Sequence, residues 1–343
     1  KETEAAKGKK AAFTPAERAA LTWFAKYWFT KYKKSEHRAP AAAKWDPLNV
    51  QGGIIEANTG ATHGCLVLVE LKNAAAARDM LEYLERANQP ARTTAGKAAG
   101  PFVNIGFTAQ GLKIAGVPAG TLDLLPFEFR QGMAARASIL GDVRCNNPVN
   151  WSLPERNWAR EPPPDDRDRV ELSSVHAIVQ YSCDGPPSVE WQDLAKDENH
   201  PLRGAVEHFD GALSVKGVRI LSVQSMQRFR ERNGELPRGH FGFVDGISQP
   251  KLEAPPQQPD SSDEVVTDHP VRHSDKVQPG DLLLGYENSL RDPPLTGRLW
   301  NESTFMVLRK LKQDVEALNA VLNENGDEGG IKAKLMGRAG DGG

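Results

Sequence analysis

The chain of 343 residues carries 43 Lys and Arg against 45 Asp and Glu, which gives a formal net charge of −2. Hydrophobic residues make up 39% of it, enough to bury a core and to exclude a wholly disordered chain. The balanced charge supplies no positive field of the kind that attracts nucleic acid, so we expect no nucleic-acid partner. No apolar run approaches the roughly 20 residues of a membrane span.

The three cysteines cannot all pair, and none has a zinc-binding spacing. A disulfide framework is therefore not expected, and a reducing compartment is favoured. The first residues lack the apolar stretch of an intact signal peptide. We expect a soluble protein of one or two domains, with a preference for an intracellular location.

Residues 1–49 are predicted to form an N-terminal extension with one amphipathic helix. Thr14, Pro15 and Glu17 form the start signal of a capped helix, and an apolar stripe at helical spacing follows from Leu21 to Trp28. A basic helix of this kind can lie on a membrane surface or bind a partner. We interpret it instead as a helix that docks on the main body of the protein.

From Val50 onward, strand signals alternate with helix signals. The apolar run of residues 65–71 predicts a buried strand, and residues 74–87 predict the helix that follows it. Further strands are predicted at 102–107, 175–181, 218–223, 241–243, 281–286 and 304–308, and further helices at 129–140 and 314–322. Thr108 is predicted to cap a short helix after the second strand.

Two heptapeptides are alike, VLVELKN at 67–73 and VLRKLKQ at 307–313. Each ends a predicted strand and leads into a predicted helix, so the sequence predicts a duplicated α+β module rather than two unrelated domains. The Pro- and Asp-rich stretch 161–168 is expected to be an exposed connection. The polar, Pro-rich stretch 253–276 is expected to be a surface excursion.

The segment 240–250, HFGFVDGISQP, carries the strongest chemical signal. Gly242 and Gly246 flank Asp245 and permit a tight turn that presents its carboxylate. An apolar wall that includes Phe243 would disfavour the charged form of Asp245, which suits an Asp that transfers protons. A plain turn is the alternative interpretation of G-x-x-D-G.

An H-x-x-x-H spacing at His269 and His273 is the nearest approach to a metal motif. Pro270 disfavours a helical conformation at His269, so the two side chains are not expected to share a helix face. We predict a solvated loop there and no metal site formed by this chain.

The sequence GFVDGISQP resembles the G-x-x-D-G signature of the dye-decolourising (DyP-type) haem peroxidases. Segments that resemble the same family follow one another along residues 50–338. They are VQGGII at 50–55, VNIGFTAQGL at 103–112, FRQGM at 129–133 with LGD at 140–142, PGD at 279–281 with LGY at 284–286, FMVLR at 305–309 with QD at 313–314, and KLMGR at 334–338. The ordered set, rather than any single segment, carries the resemblance.

The resemblance implies an α+β fold of two ferredoxin-like modules related by duplication, as in a dimeric α+β barrel. Residues 50–160 would be the first module and residues 161–343 the second, haem-side module, incomplete at its C-terminus. It also implies haem b as the cofactor, with hydrogen peroxide and an aromatic reductant, a bulky dye or a phenol, as substrates. Asp245 would then move a proton between the two peroxide oxygens. The residues expected against the haem are Phe243, Gly246, Ile247, Ser248 and Gln249.

In that family the axial histidine follows the segment that resembles residues 334–338, and none of the eight histidines of this chain does so. The resemblance therefore implies an axial ligand beyond Gly343, on a longer native chain or on a separate C-terminal fragment that would be a partner. The alternative function is a haem-free α+β module that binds a small molecule or another protein.

Overall fold

The structure is a computed structural model that describes fourteen stretches of the chain. They are residues 50–55, 61–87, 89–90, 102–151, 171–183, 202–227, 238–244, 251–252, 276–288, 290, 294–295, 300–311, 313–324 and 330–337. The predicted extension 1–49, the stretch 161–168 and residues 253–275 of the excursion lie outside these ranges. The described residues from Pro126 to Trp151 belong to one compact unit, and the other described residues belong to a second.

The strands and helices are numbered in chain order. The described strands are β1 (His63–Leu71), β2 (Gln89–Pro90), β3 (Phe102–Phe107), β4 (Ala177–Cys183), β5 (Val218–Gln227), β6 (Lys251–Leu252) and β7 (Lys276–Val277). The described α-helices are α1 (Ala74–Ala87), α2 (Ala109–Ile114), α3 (Ala119–Leu122), α4 (Phe127–Gln131), α5 (Ala137–Leu140), α6 (Arg203–Leu213), α7 (Pro279–Leu282), α8 (Val315–Glu324) and α9 (Gly330–Met336).

Five of the strands form one sheet in the order β2-β3-β4-β1-β5. The central strand β1 runs antiparallel to both β4 and β5, and β3 runs antiparallel to β4. Along the chain, β1, α1, β3, β4, α6 and β5 follow the βαββαβ order of a ferredoxin-like module. The predicted α+β, ferredoxin-like class is therefore confirmed, whereas the duplication stays a prediction.

One face of this sheet packs against the helices and forms the main core, and the central strand β1 is buried along nearly its whole length, as its apolar run predicts. Cys65, Val67 and Val69 of β1 are fully buried and pack in one cluster with α1 and α6. From α6, the ring of Phe209 meets Tyr181 of β4 edge-on, with 6.5 Å between the ring centroids. The strand side chains on this face and an apolar stripe on each helix thus produce the two-layer arrangement.

Side-chain caps fix where the first two helices begin. The Oδ1 atom of Asn73 accepts a hydrogen bond from the backbone N–H of Ala76 at 3.0 Å, ahead of α1. The hydroxyl oxygen of Thr108 accepts one from the N–H of Gly111 at 3.0 Å, which confirms the predicted cap of α2. Both caps satisfy N–H groups that have no partner inside the helix.

The sheet crosses the expected module boundary between residues 160 and 161. Strands β1 and β3 precede that boundary, whereas β4 and β5 follow it, and all four pair in one sheet. A division there would separate β3 from β4 across a register of six paired residues. The ferredoxin-like module that the structure describes therefore extends from β1 to β5.

The helix predicted over residues 129–140 is interrupted. The structure has α4 and α5 instead, separated by Gly132 and a short 3-10 turn at Ala134–Arg136. Gly132 has φ of 77° and ψ of 170°, which an α-helix does not accommodate. Gly141 ends α5 in the left-handed conformation, with φ of 81°.

Three predicted strands in the later part of the chain are not paired strands. Residues 241–243 lie in a tight turn, residues 281–286 contain the end of α7 and a turn, and residues 304–308 belong to neither a helix nor a strand. The prediction of a helix over 314–322 is confirmed by α8. Of the helices in the described ranges, none is long and apolar enough to cross a membrane.

Candidate functional site

The described part of the motif, residues 238–244, is a tight turn closed by its own backbone. Arg238 and Val244 form an isolated antiparallel bridge. The N–H of Gly239 donates to the carbonyl of Phe243 at 2.9 Å, and the N–H of Gly242 donates to the carbonyl of Gly239 at 2.8 Å. The Nη1 of Arg238 donates to the carbonyl of Gly242 at 2.9 Å. These three hydrogen bonds, one of which belongs to the bridge, fix the chain immediately before Asp245.

Gly242 is required by this turn because its φ is +83°, a region that side chains with a Cβ disfavour. A Cβ at this position would also lie 3.3 Å from the Nζ of Lys332. The expectation that glycine permits a tight turn in this motif is therefore confirmed at Gly242.

The turn directs two apolar side chains inward. Phe243 is 5% exposed and Val244 is 7% exposed, so both are buried directly before Asp245. The Nζ of Lys332 on α9 lies 5.3 Å from the centroid of the Phe243 ring, within the range of a cation–π interaction. The structure thus brings α9, where the KLMGR segment begins, to the G-x-x-D-G segment.

The structure describes only one of the six site residues that the sequence analysis named. Phe243 is buried in the turn, and its contact with a haem stays a prediction. The other five lie outside the described residues: Asp245, Gly246, Ile247, Ser248 and Gln249. The role of Asp245 therefore stays a prediction, supported by the buried Val244 that precedes it.

The glycines of the PGD and LGY segments lie where neighbouring atoms leave no room for a side chain. The N–H of Gly280 donates to the carbonyl of Glu287 at 3.0 Å, and a Cβ at Gly280 would lie 2.3 Å from that carbonyl. At Gly285, with φ of +94°, a Cβ would lie 2.7 Å from Oδ1 of Asn301. Glycine is therefore needed at these two positions for the local path of the chain, and neither position indicates a catalytic or binding role.

A buried histidine that the sequence analysis did not select lines a cavity beside the sheet. The Nδ1 of His176 lies 2.9 Å from the backbone nitrogen of Leu71 and 3.1 Å from its carbonyl oxygen, so this ring nitrogen bonds to the backbone of Leu71 in either tautomer. The cavity has a volume of about 690 Å³. Its lining includes His176, Glu70, Lys72, Asp210, Ser214 and Arg219. A single histidine before a strand is not a recognisable motif, so the sequence did not predict this cavity.

The described residues around the turn are of two kinds that a haem site uses. Phe243 and Val244 are apolar, and Arg238 and Lys332 are cations that contact the turn. Among the described residues, no group of three or more His, Cys, Asp or Glu side chains is placed to hold a metal ion. His240 in the same turn is exposed. An apolar wall and cations are thus present, without an axial ligand assigned.

Comparison with known proteins places the chain beside one group of enzymes. No protein-family model matches the chain. A dye-decolorizing peroxidase of Mycena epipterygia is 31% identical over 114 residues, which are 33% of this chain and 19% of that protein.

Solved structures of the same group share the fold. A fungal DyP-type peroxidase from Auricularia auricula-judae aligns with a TM-score of 0.56 at 18% identity, over 85% of this chain and 54% of that one. An ancestral D-type dye decolorizing peroxidase aligns with a TM-score of 0.54 at 20% identity, over 82% of this chain and 53% of that one. A third, whose heme pocket was engineered for asymmetric sulfoxidation, has a TM-score of 0.56 at 18% identity, over 84% of this chain and 54% of that one. The chain thus spans about half the length of these structures and has the fold of dye-decolorizing peroxidases over that half.

Proposed function

We propose that this chain carries the distal side of a DyP-type haem peroxidase, which reduces hydrogen peroxide and oxidises a bulky dye or phenol. The observation that carries the proposal is the rigid turn of residues 238–244, which buries Phe243 and Val244 directly before Asp245. The similarity to the Mycena epipterygia peroxidase and the shared fold support it.

Asp245 is the residue that would move protons in this proposal. Its carboxylate would take the proton of one peroxide oxygen and return it to the other, so that the second oxygen leaves as water. An apolar neighbourhood such as that of Phe243 and Val244 disfavours a charged carboxylate and brings its proton affinity nearer to that of the reacting groups. Haem b, when bound, would supply electrons to the peroxide and regain them from the aromatic reductant.

Phe243, Gly246, Ile247, Ser248 and Gln249 would hold the haem on the same side as Asp245. Arg238 and Lys332 are cations beside this wall and would pair with carboxylates of the haem. An axial histidine would come from sequence beyond Gly343 or from a separate polypeptide that acts as a partner. Exposed His240, which lies in the distal turn itself, is not assigned this role.

Haem titration of the purified chain tests the proposal, with imidazole added as a stand-in for the axial histidine. We expect a saturable shift of the haem absorption band at one haem per chain when imidazole is present. The matched control is His240→Ala, which should bind haem in the same way as the unchanged chain.

Two results would contradict the proposal. The first is a haem band that equals that of haem and imidazole without protein. The second is loss of the haem absorption band in His240→Ala. That result would indicate that His240 itself binds the iron, on the same side of the haem as Asp245.

A second candidate function is a haem-free small-molecule module, and the 690 Å³ cavity beside His176 is the observation that favours it. His176 offers a polar ring to this cavity, and Leu71 and Ile220 in the lining offer apolar contact. A small ligand that shifts the ring resonances of His176 while haem leaves the absorption spectrum unchanged would support this alternative.

A further inference from the structure

The cavity beside His176 lies at the end of the main sheet where β1 ends and β5 begins. Its volume of about 690 Å³ falls within the range of small-molecule sites, roughly 300–1,000 Å³. Residues of β1, α2, α6 and β5 line it, together with His176 directly before β4. None of the described lining residues belongs to the turn of residues 238–244, so the cavity is a candidate site with a lining of its own.

His176 is held rigidly in this lining. Its backbone N–H donates to the carbonyl of Val69 at 2.8 Å, and its carbonyl accepts from the N–H of Thr108 at 3.0 Å. The ring is buried, and its Nδ1 bonds to the backbone of Leu71. Across the described ranges Nε2 makes no hydrogen bond, so it is the ring nitrogen left for the cavity. A buried polar atom of this kind favours a ligand that carries a complementary polar group.

Four charged side chains are among the described lining residues, and two of them neutralise each other. The Nε of Arg219 donates to Oε2 of Glu70 at 2.6 Å, across the paired strands β1 and β5. The other two, Lys72 and Asp210, have no ion pair within the part of the chain that the structure describes. A ligand in the cavity therefore meets one cation and one anion that lack a counter-ion.

The local backbone explains where these two charges lie. The N–H of Lys72 donates to the carbonyl of Gly217 at 2.9 Å, and a Cβ at Gly217 would stand 3.0 Å from the Cβ of Lys72. The stem of Lys72 thus lies along Gly217. Asp210 lies in the last turn of α6, where the helix dipole disfavours a carboxylate. A cationic group of a ligand beside Asp210 would offset this unfavourable interaction.

The rest of the cavity offers apolar contact. Ile114 and Ile220 are half-buried and pack against the main core, and both line the cavity. Leu71 and Val218 in the same lining are buried. Surface of this kind favours a ligand that also carries a hydrocarbon group.

We propose that this cavity binds the zwitterion of an α-amino acid with an apolar side chain. The carboxylate of the ligand would lie between Lys72 and Nε2 of His176, and its ammonium group beside Asp210. Its side chain would contact Ile114 and Ile220. A plain anion would leave Asp210 without a partner, and a plain cation would leave Lys72 without one. The inference deepens the second candidate function, on which it rests, and it does not depend on haem.

Isothermal titration of the purified chain without haem tests the ligand class, with L-leucine and L-phenylalanine as separate probes. We expect saturable one-to-one binding of at least one of them, with a dissociation constant near or below about 1 mM. For leucine, the matched ligands are 4-methylpentanoate, which lacks the ammonium group, and isopentylamine, which lacks the carboxylate. Each should bind about tenfold more weakly than leucine, because each loses one charge-assisted contact.

Two results of these titrations would overturn the proposal. The first is that neither amino acid binds. The second is that leucine and its two matched ligands bind equally. Because haem is absent throughout, these results are independent of the haem titration, and failure of one proposal is distinguishable from failure of the other.

Charge-removing variants test the location of the ligand. Lys72→Gln and Asp210→Asn change exposed side chains and should fold normally, but each should weaken binding of the amino acid about tenfold. Arg78→Gln and Glu85→Gln on the exposed face of α1 are the matched controls and should leave the affinity unchanged. Unchanged affinity in both cavity variants, or an equal loss in the two controls, would show that the ligand does not bind in this cavity.

Discussion

The Nζ of Lys332 lies 5.3 Å from the centroid of the Phe243 ring, and this contact joins α9 to the turn that precedes Asp245. The ring is 5% exposed, so the cation covers an otherwise buried aromatic face. The same Nζ lies 3.3 Å from where a Cβ at residue 242 would stand. Lys332 therefore helps to position the candidate site from a segment about ninety residues away in sequence.

Removing this cation should loosen the turn. Lys332→Ala is expected to lower the free energy of unfolding by about 0.5–1 kcal/mol, the usual size of a partly exposed cation–π contact. Lys334→Ala on the same helix is the control, because Lys334 is exposed and should change stability little. Urea unfolding measures both variants, and equal losses would show that the Lys332 contact contributes nothing particular.

Gly111 should be irreplaceable even by alanine. A Cβ there would lie 1.7 Å from the carbonyl oxygen of His176, so the backbone of α2 or β4 would have to move. We expect Gly111→Ala to lower the free energy of unfolding by about 3 kcal/mol or more. In Gly211→Ala on α6, where nothing lies within 4 Å, the same change should stabilise by about 0.5–1 kcal/mol. Thermal unfolding that gave both variants the same sign of change would contradict the packing described for α2.

The centre of the core should depend on Phe209. This ring is 0% exposed and meets Tyr83 and Tyr181 edge-on, with centroid distances of 5.8 and 6.5 Å. Phe209→Ala leaves a cavity between α6 and the sheet and should cost about 3–5 kcal/mol. Val215→Ala, at a side chain 89% exposed, should cost almost nothing. A small loss for Phe209→Ala in denaturant unfolding would place the core elsewhere.

The three thiols should differ in reactivity. Burial raises the pKa of Cys65 to about 12, whereas Cys145 is exposed. Iodoacetamide at pH 8 should modify Cys145 alone, and buried Cys65 and Cys183 should react only after unfolding, as counted by mass spectrometry. Early labelling of Cys65 would contradict its burial.

The raised pKa of Cys65 also affects stability at alkaline pH. An unfolded thiol ionises near pH 8.5, whereas the folded thiol keeps its proton until about pH 12. The contribution of Cys65 is therefore complete below the unfolded pKa and is lost as pH rises toward the folded pKa.

Local patterns predicted the ferredoxin-like module well. The apolar run of β1, the helix α1 and the cap at Thr108 follow from neighbouring residues, because apolar runs, helical periodicity and caps are local properties. The position of β1 between β4 and β5 depends on pairs more than one hundred residues apart, and no local pattern contains that information. For this reason the expected boundary at residue 160 fell inside the sheet.

Local sequence patterns gave wrong secondary-structure predictions where a few individual residues altered the local structure. Residues 281–286 look like an apolar strand, but Pro279 suits a first helical turn and the carboxylate of Asp281 accepts the N–H of Gln278 at 3.1 Å, which closes α7. Gly132 similarly divides the helix predicted over 129–140. Of the candidate site, the sequence predicted the tight turn at Gly242, whereas the approach of Lys332 depends on tertiary packing.

Peroxide-dependent oxidation of a dye by the haem- and imidazole-loaded chain is the measurement that tests the central claim most directly. Asp245→Asn should lower the rate about 10²- to 10⁴-fold, the usual contribution of a proton-transferring side chain, without weakening haem binding. Asp123→Asn, at an exposed carboxylate, is the matched control and should keep the full rate. Equal rates for the unchanged chain and Asp245→Asn, at equal haem content, would contradict the assignment of Asp245 as the proton-transferring residue.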